Sequence, residues 1–174
     1  VYSTDKGVIS IDTKSKKVEV AAKTEPEWGN ISELYGFAGN IYLLDEGSGQ
    51  VWKYLPVVNG YSGKRSYFKE GVKADLTGAI RLQIDSSVWV LKRGGEINKY
   101  TQGSPDFFSL SGLDKPVKDL KSFFISGETD NLYLLDSGNS RLVVLDKKGI
   151  YQAQYQSDQF SSFSDFVVDE KEKK

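Results

Sequence analysis

Asn131–Asp146, NLYLLDSGNSRLVVLD, is the stretch on which the architecture turns. It reads as an apolar run, a short polar turn around Gly138, and a second apolar run, which is the pattern of a β-hairpin. The turn predicts a positive φ supplied by Gly, with Asp or Asn capping its backbone. The run Leu132, Tyr133, Leu134, Leu135 is apolar on both faces, so other sheets are expected to cover this strand on both sides.

Three further segments line up with it: Asn40–Tyr54 (NIYLLDEGSGQVWKY), Ser87–Tyr100 (SVWVLKRGGEINKY) and Val1–Asp12 (VYSTDKGVISID). Their turns hold Gly47 and Gly49, Gly94 and Gly95, and Gly7, and Asp45 and Asp5 stand just before two of them. Equivalent starts at Ile41, Val88 and Leu132 give steps of 47 and 44 residues. Units of that length, each with four short strands, suit a β-propeller blade. First strands are expected at Leu34–Ala38, Ala79–Ile84, Leu120–Ile125 and Phe166–Asp169. Fourth strands are expected at 17–22, 67–70, 106–110 and 150–155.

The fold expected over residues 1–174 is therefore all-β: one small propeller domain, a fragment of a longer protein, with four blades of four antiparallel strands. Its ring would close by pairing Phe166–Asp169 with Val1–Thr4, which leaves no free sheet edge. A larger propeller of which this is a piece, or two chains sharing one eight-bladed ring, would use the same sequence.

The hairpin NLYLLDSGNSRLVVLDKKG resembles the NHL-type propeller repeat in Asp136, Gly138, Asn139 and Arg141. Asp45 and Gly47 keep part of the pattern, Lys92 and Arg93 replace it, and Asp5 and Gly7 keep least. The resemblance implies binding of proteins, peptides or nucleic acids. It also implies the extracytoplasmic sensor parts of bacterial Ser/Thr kinases, with similar propellers plausible behind phosphatase domains.

Composition narrows the chemistry. The 174 residues hold no Cys and no His. That excludes disulfides, thiol catalysis, Cys-ligated metal and a Ser-His-Asp nucleophile. Carboxylates, Lys and Tyr remain as reactive groups. The formal charge is −1, from 23 basic and 24 acidic residues, which gives no broad footprint for nucleic acid or an anionic membrane. A chain of this length buries roughly 70 % of its unfolded surface and needs no metal or disulfide to hold a core.

The expected function is a non-catalytic binding, sensor or scaffold module that recognises a protein, peptide or extended ligand through loops on the channel face. The candidate ligand-binding residues are Trp28, Asp45, Glu46, Lys92, Arg93, Asp136 and Asn139. Trp28 either anchors a ligand or packs between blades. A basic tip at Lys64 and Arg65 with Tyr61 and Tyr67 either meets an acidic partner or RNA or is a solvated loop. Arg141 is expected to pair with Asp136 or a neighbouring strand. The alternative function is a carbohydrate-binding or glycoside-hydrolysing propeller using channel-face carboxylates and aromatics.

Glu33, Asp119 and Asp165 each stand immediately before an expected first strand, where the remaining blade has Gly78. If equivalent, they converge towards the axis as oxygen ligands for Ca²⁺ or Mg²⁺. Otherwise each caps backbone N–H groups of its own loop. A monomer is expected, with a ring-sharing dimer as the alternative.

Overall fold

The computed structural model describes residues 1–3 and 5–172. Among the described residues seventeen short strands alternate with turns, and every pairing between these strands is antiparallel. The chain divides into two compact units, Val1–Thr77 and Gly78–Lys174.

The first unit opens with β1 (Tyr2–Ser3), β2 (Gly7–Ile11) and β3 (Val18–Ala22), paired in that order as one sheet. A second sheet joins β4 (Ile31–Phe37), β5 (Asn40–Asp45) and β6 (Gln50–Tyr54). The excursion after β6 makes a two-stranded ribbon, β7 (Pro56–Val57) with β8 (Gly60–Tyr61), before β9 (Arg65–Ser66) returns to pair with β6. Val8 and Ala22 of the first sheet share a core with Ile41, Leu43 and Tyr54 of the second.

The second unit holds two four-stranded sheets. One is β10 (Ala79–Ile84), β11 (Val88–Lys92), β12 (Ile97–Thr101) and β13 (Ser104–Asp106). The other is β14 (Leu120–Phe124), β15 (Asn131–Asp136), β16 (Arg141–Asp146) and β17 (Tyr151–Gln156). Trp89, Leu91 and Ile97 pack on Leu120, Phe123, Leu132, Leu134, Val143 and Leu145. Phe108 meets Trp89 edge-on, ring centres 4.9 Å apart, an arrangement the ring quadrupoles favour.

The double-faced apolar pattern is confirmed: Leu43 and Leu44, Val90 and Leu91, and Leu134 and Leu135 are all fully buried. Such runs satisfy two packing faces at once, and their β-branched and aromatic residues favour the pleated backbone.

The four-blade count and the ring closure need correction. The sheets number five, of which three have four strands, and no closed ring is detected among the described residues. Strand β1 has β2 as its only strand partner among the described residues, and 163–169 forms no strand. Thr4, the end of the expected closing strand, lies outside the described residues.

The local chemistry of the C-terminal segment explains its path. Asp165 Oδ1 accepts from Phe166 N at 2.9 Å and from Ser122 Oγ at 2.5 Å, which turns the chain onto β14. The Phe166 ring lies 6.4 Å from Phe124. Glu170 then reaches the start of β15. Its carboxylate accepts from Asp130 N at 2.7 Å, Asn131 N at 3.1 Å, Asn131 Nδ2 at 3.1 Å and Tyr133 OH at 2.7 Å. Side chains thus hold this segment, with its backbone left out of any ladder.

Candidate functional site

The candidate sites, taken unit by unit, are the turns between the second and third strands of the four-stranded sheets, each with the loop leading into its own sheet: one in Val1–Thr77 and two in Gly78–Lys174. These turns share one construction. A backbone N–H just past the second strand donates to the loop: Glu46 to Asn30 O at 2.9 Å, Arg93 to Gly78 O at 2.7 Å, and Ser137 to Asp119 O at 3.0 Å. The first strand then starts with a bulge at the same place each time, after Ile31, Ala79 and Leu120.

Two of the turns carry the sequence Asp-x-Gly. Asp45 is fully buried; it accepts from Gly29 N and Asn30 N at 2.9 Å, Ser48 N at 3.1 Å and Trp52 Nε1 at 2.8 Å. Asp136, equally buried, accepts from Lys118 N at 3.0 Å, Asn139 Nδ2 at 2.7 Å and Arg141 Nε at 2.8 Å. The glycine two residues on is required for closeness. A Cβ on Gly47 would stand 2.5 Å from Asn30 N, and one on Gly138 would stand 2.9 Å from the Lys118 side chain. The positive φ expected of Gly138 falls instead on Ser140, at 52°.

Arg141 is fully buried and pairs with Asp136 as its position in the hairpin suggests. Its other nitrogens donate to Asp114 Oδ1 at 2.5 Å, Gln154 Oε1 at 2.8 Å and Lys115 O at 2.7 Å. The planar guanidinium matches these acceptors on three sides, a task Lys cannot perform. Asp85 plays a related part after β10, accepting from Ser86 N, Ser87 N and Trp89 Nε1. Sequence reading missed it, although an Asp four residues before a strand Trp is the visible signal.

Burial works against ionisation of Asp45, Asp85 and Asp136, but the donors outweigh it and hold all three carboxyls below the usual range. A depressed folded-state pKa adds stability above the unfolded value of about 4, lost as pH falls through the folded one. Urea midpoints should therefore be level from pH 5 to 7 and fall below about pH 4. Asp136→Asn should start lower and fall less steeply. Parallel curves for the two proteins would contradict this role.

The remaining candidates are placed as follows. Trp28 is half-buried, donates Nε1 to Tyr54 OH at 3.1 Å and stacks edge-on against that ring. Glu46 is half-buried and accepts from Asn30 Nδ2 at 3.2 Å. Lys92 is half-buried, 3.7 Å from Glu96, while Arg93 is exposed. Asn139 bridges Asp136 and Pro116 O. Asp136 and Asn139 are thus brought into one network, and Asp45 and Glu46 hold neighbouring points of another turn. Lys64 finds its acidic partners within the chain: Glu25 at 2.5 Å and Glu27 at 2.9 Å, with its ammonium 5.5 Å from the Trp52 ring centre.

The bulge register changes the reading of the channel carboxylates. Glu33 pairs with Leu44 as Arg81 pairs with Leu91 and Ser122 with Leu135. Asp119 corresponds instead to Asn30 and Gly78. Strand β4 begins three residues earlier than expected, so Glu33 lies inside it. Asp119 pairs with Lys121 at 2.9 Å, and Asp165 bonds Ser122 and the amide of Phe166. Among the described residues no group of three acidic side chains is arranged to hold a metal ion.

A scan against protein-family models finds no match, and a search of curated proteins finds no match either.

Proposed function

We propose that this chain is a non-catalytic binding module of the NHL-like β-propeller type, which recognises a protein, peptide or other extended ligand through its turn and inter-sheet loops. The observation that carries this reading is the inward orientation of Asp45, Asp85 and Asp136. Each spends its acceptor capacity on backbone N–H groups and on Trp or Arg, so it makes a poor general base or nucleophile for a substrate. What the same bonds do supply is rigidity. A loop tip fixed before the ligand arrives loses little conformational entropy on binding.

Arg93 and Glu46 sit on such tips, and Arg is enriched among residues that dominate binding energy. A tiled-peptide array probed with the labelled chain tests the reading. Retained peptides should bind about tenfold more weakly, ~1.4 kcal/mol, to Arg93→Ala or Glu46→Ala. The same substitutions should change stability by less than about 0.5 kcal/mol. Turnover of a glycoside substrate that is lost with a single Asp or Glu replacement would overturn the reading. So would peptide capture indifferent to both substitutions.

A further inference from the structure

Within the second unit, the face of β14–β17 turned away from its Leu132, Leu134 and Val143 core carries Tyr133, Leu135, Leu142 and Tyr155. The 3₁₀ turn Asp158–Ser162 and the segment after it cross that face without filling the space beneath them. A cavity of about 660 Å³ remains. That is the size of a small-molecule site.

Two features of its wall select a ligand. First, it is aromatic: Tyr133, Tyr155, Phe160, Phe163 and Phe166 all line it. Tyr155, Phe163 and Val167 on this wall are 60 %, 40 % and 80 % exposed, so large apolar groups gather here in contact with water. Second, its charged members are both acidic. Asp169 and Glu170 line the cavity, and no Lys or Arg does so among the described residues. Every donor bonded to the Glu170 carboxylate is neutral: two backbone N–H groups, an amide and a phenol. Those bonds fix the carboxylate in place and leave its negative charge uncompensated beside the aromatic wall.

We propose that this cavity binds an organic cation, an alkylated ammonium group carrying an apolar body. The faces of the aromatic rings attract a cation through their quadrupoles, most strongly when it is desolvated. The carboxylates add Coulomb attraction, and the alkyl groups lower the cost of leaving water. A fatty acid or phosphate ester meets the same apolar wall but is repelled by the two carboxylates. The site is separate from the loop tips, so its fate does not bear on the peptide reading above.

The test compares three molecules of similar shape: choline, the uncharged 3,3-dimethylbutan-1-ol, and the anion 3,3-dimethylbutanoate. Each is titrated into ¹⁵N-labelled protein, and amide shifts are followed at residues 131–142 and 155–170. Choline should saturate these shifts with a Kd at least fivefold lower than the alcohol, and the anion should bind more weakly still. Tyr155→Leu keeps apolar area but removes the ring, and Asp169→Asn removes one charge without touching the Glu170 bonds. Each should reduce the preference for choline over the alcohol about threefold while leaving the alcohol nearly unchanged. Equal binding of choline and the alcohol would overturn the proposal in favour of a plain apolar pocket. Tighter binding of the anion, or no shifts in these segments at 50 mM choline, would overturn it as well.

Discussion

Replacing Arg141 with Met is expected to lower the unfolding free energy of the Gly78–Lys174 unit by about 3–5 kcal/mol, the usual cost of breaking a buried ion pair from one side. The side chain is fully buried and serves four acceptors on three segments: Asp136, Gln154, and the neighbouring Asp114 carboxylate and Lys115 carbonyl. Met fills much of the same volume, so the loss reports the electrostatics rather than a cavity. The Asp136 carboxylate would stay buried with Asn139, the Lys118 amide and a long contact from the Asp119 amide as its remaining donors. Arg141→Lys should recover little, because one ammonium cannot span acceptors that lie around a planar fork. The double variant Arg141→Met, Asp136→Leu should lose less than the sum of the single losses, since it removes both charges together. Urea titration followed by tryptophan fluorescence measures all of these. A loss below about 1 kcal/mol for Arg141→Met would place the pair among weak surface bridges, contrary to its burial.

The legible parts of this fold were those written as repeated side-chain periodicity. Apolar residues on both faces of Ile41–Leu44, Val88–Leu91 and Leu132–Leu135 located β5, β11 and β15, and the Gly-containing turns located their partners. Strand β10 falls at Ala79–Ile84 as expected. Strand β4 does not fall where expected because its first turn of sequence, ISE, is polar in part and carries a bulge. A bulge adds a residue without changing composition, so alternation alone cannot find it. That slip is what made Glu33 look equivalent to Asp119.

The candidate site was legible in its residues more than in their roles. Asp45, Asp136 and Asn139 do belong to the loops that stood out in the sequence. The Asp45 and Asp136 carboxylates point inward because each has several N–H donors within reach, and an isolated carboxylate at that depth would be costly without them, while Asn139 is one of those donors to Asp136. Gly138 illustrates the same limit. A glycine in a turn suggests an unusual φ, yet here it admits the close approach of Lys118. Only the position of the neighbouring loop distinguishes the two reasons, and that position is a long-range property.

The C-terminal segment was the least legible, and truncation after Ser162 is expected to show why. The sequence SDFVVDE alternates weakly, and its apolar run predicts a ring-closing strand. In the structure it is held by side-chain contacts to β14 and β15, Asp165 with Ser122, Phe166 with Phe124 and Glu170 with the start of β15, and by Arg81 of β10 donating to Ser164 O and Lys171 pairing with Glu128. Removing it should cost the second unit about 2–3 kcal/mol, from the half-buried Phe166 and Val168 side chains at ~1.5 kcal/mol each. The amides of Asp130 and Asn131, which donate to Glu170, should exchange at least about tenfold faster with solvent hydrogen. The Tyr133 hydroxyl, whose pKa is pushed up to about 12 by burial and by the Glu170 carboxylate, should titrate closer to an ordinary tyrosine. Protection in β1 and β2 should be unchanged, because β1 pairs with β2 in the described structure. Loss of protection in β1 on truncation would instead restore the ring-closing pair. An unchanged exchange rate at Asp130 and Asn131 would remove Glu170 as the anchor of the segment.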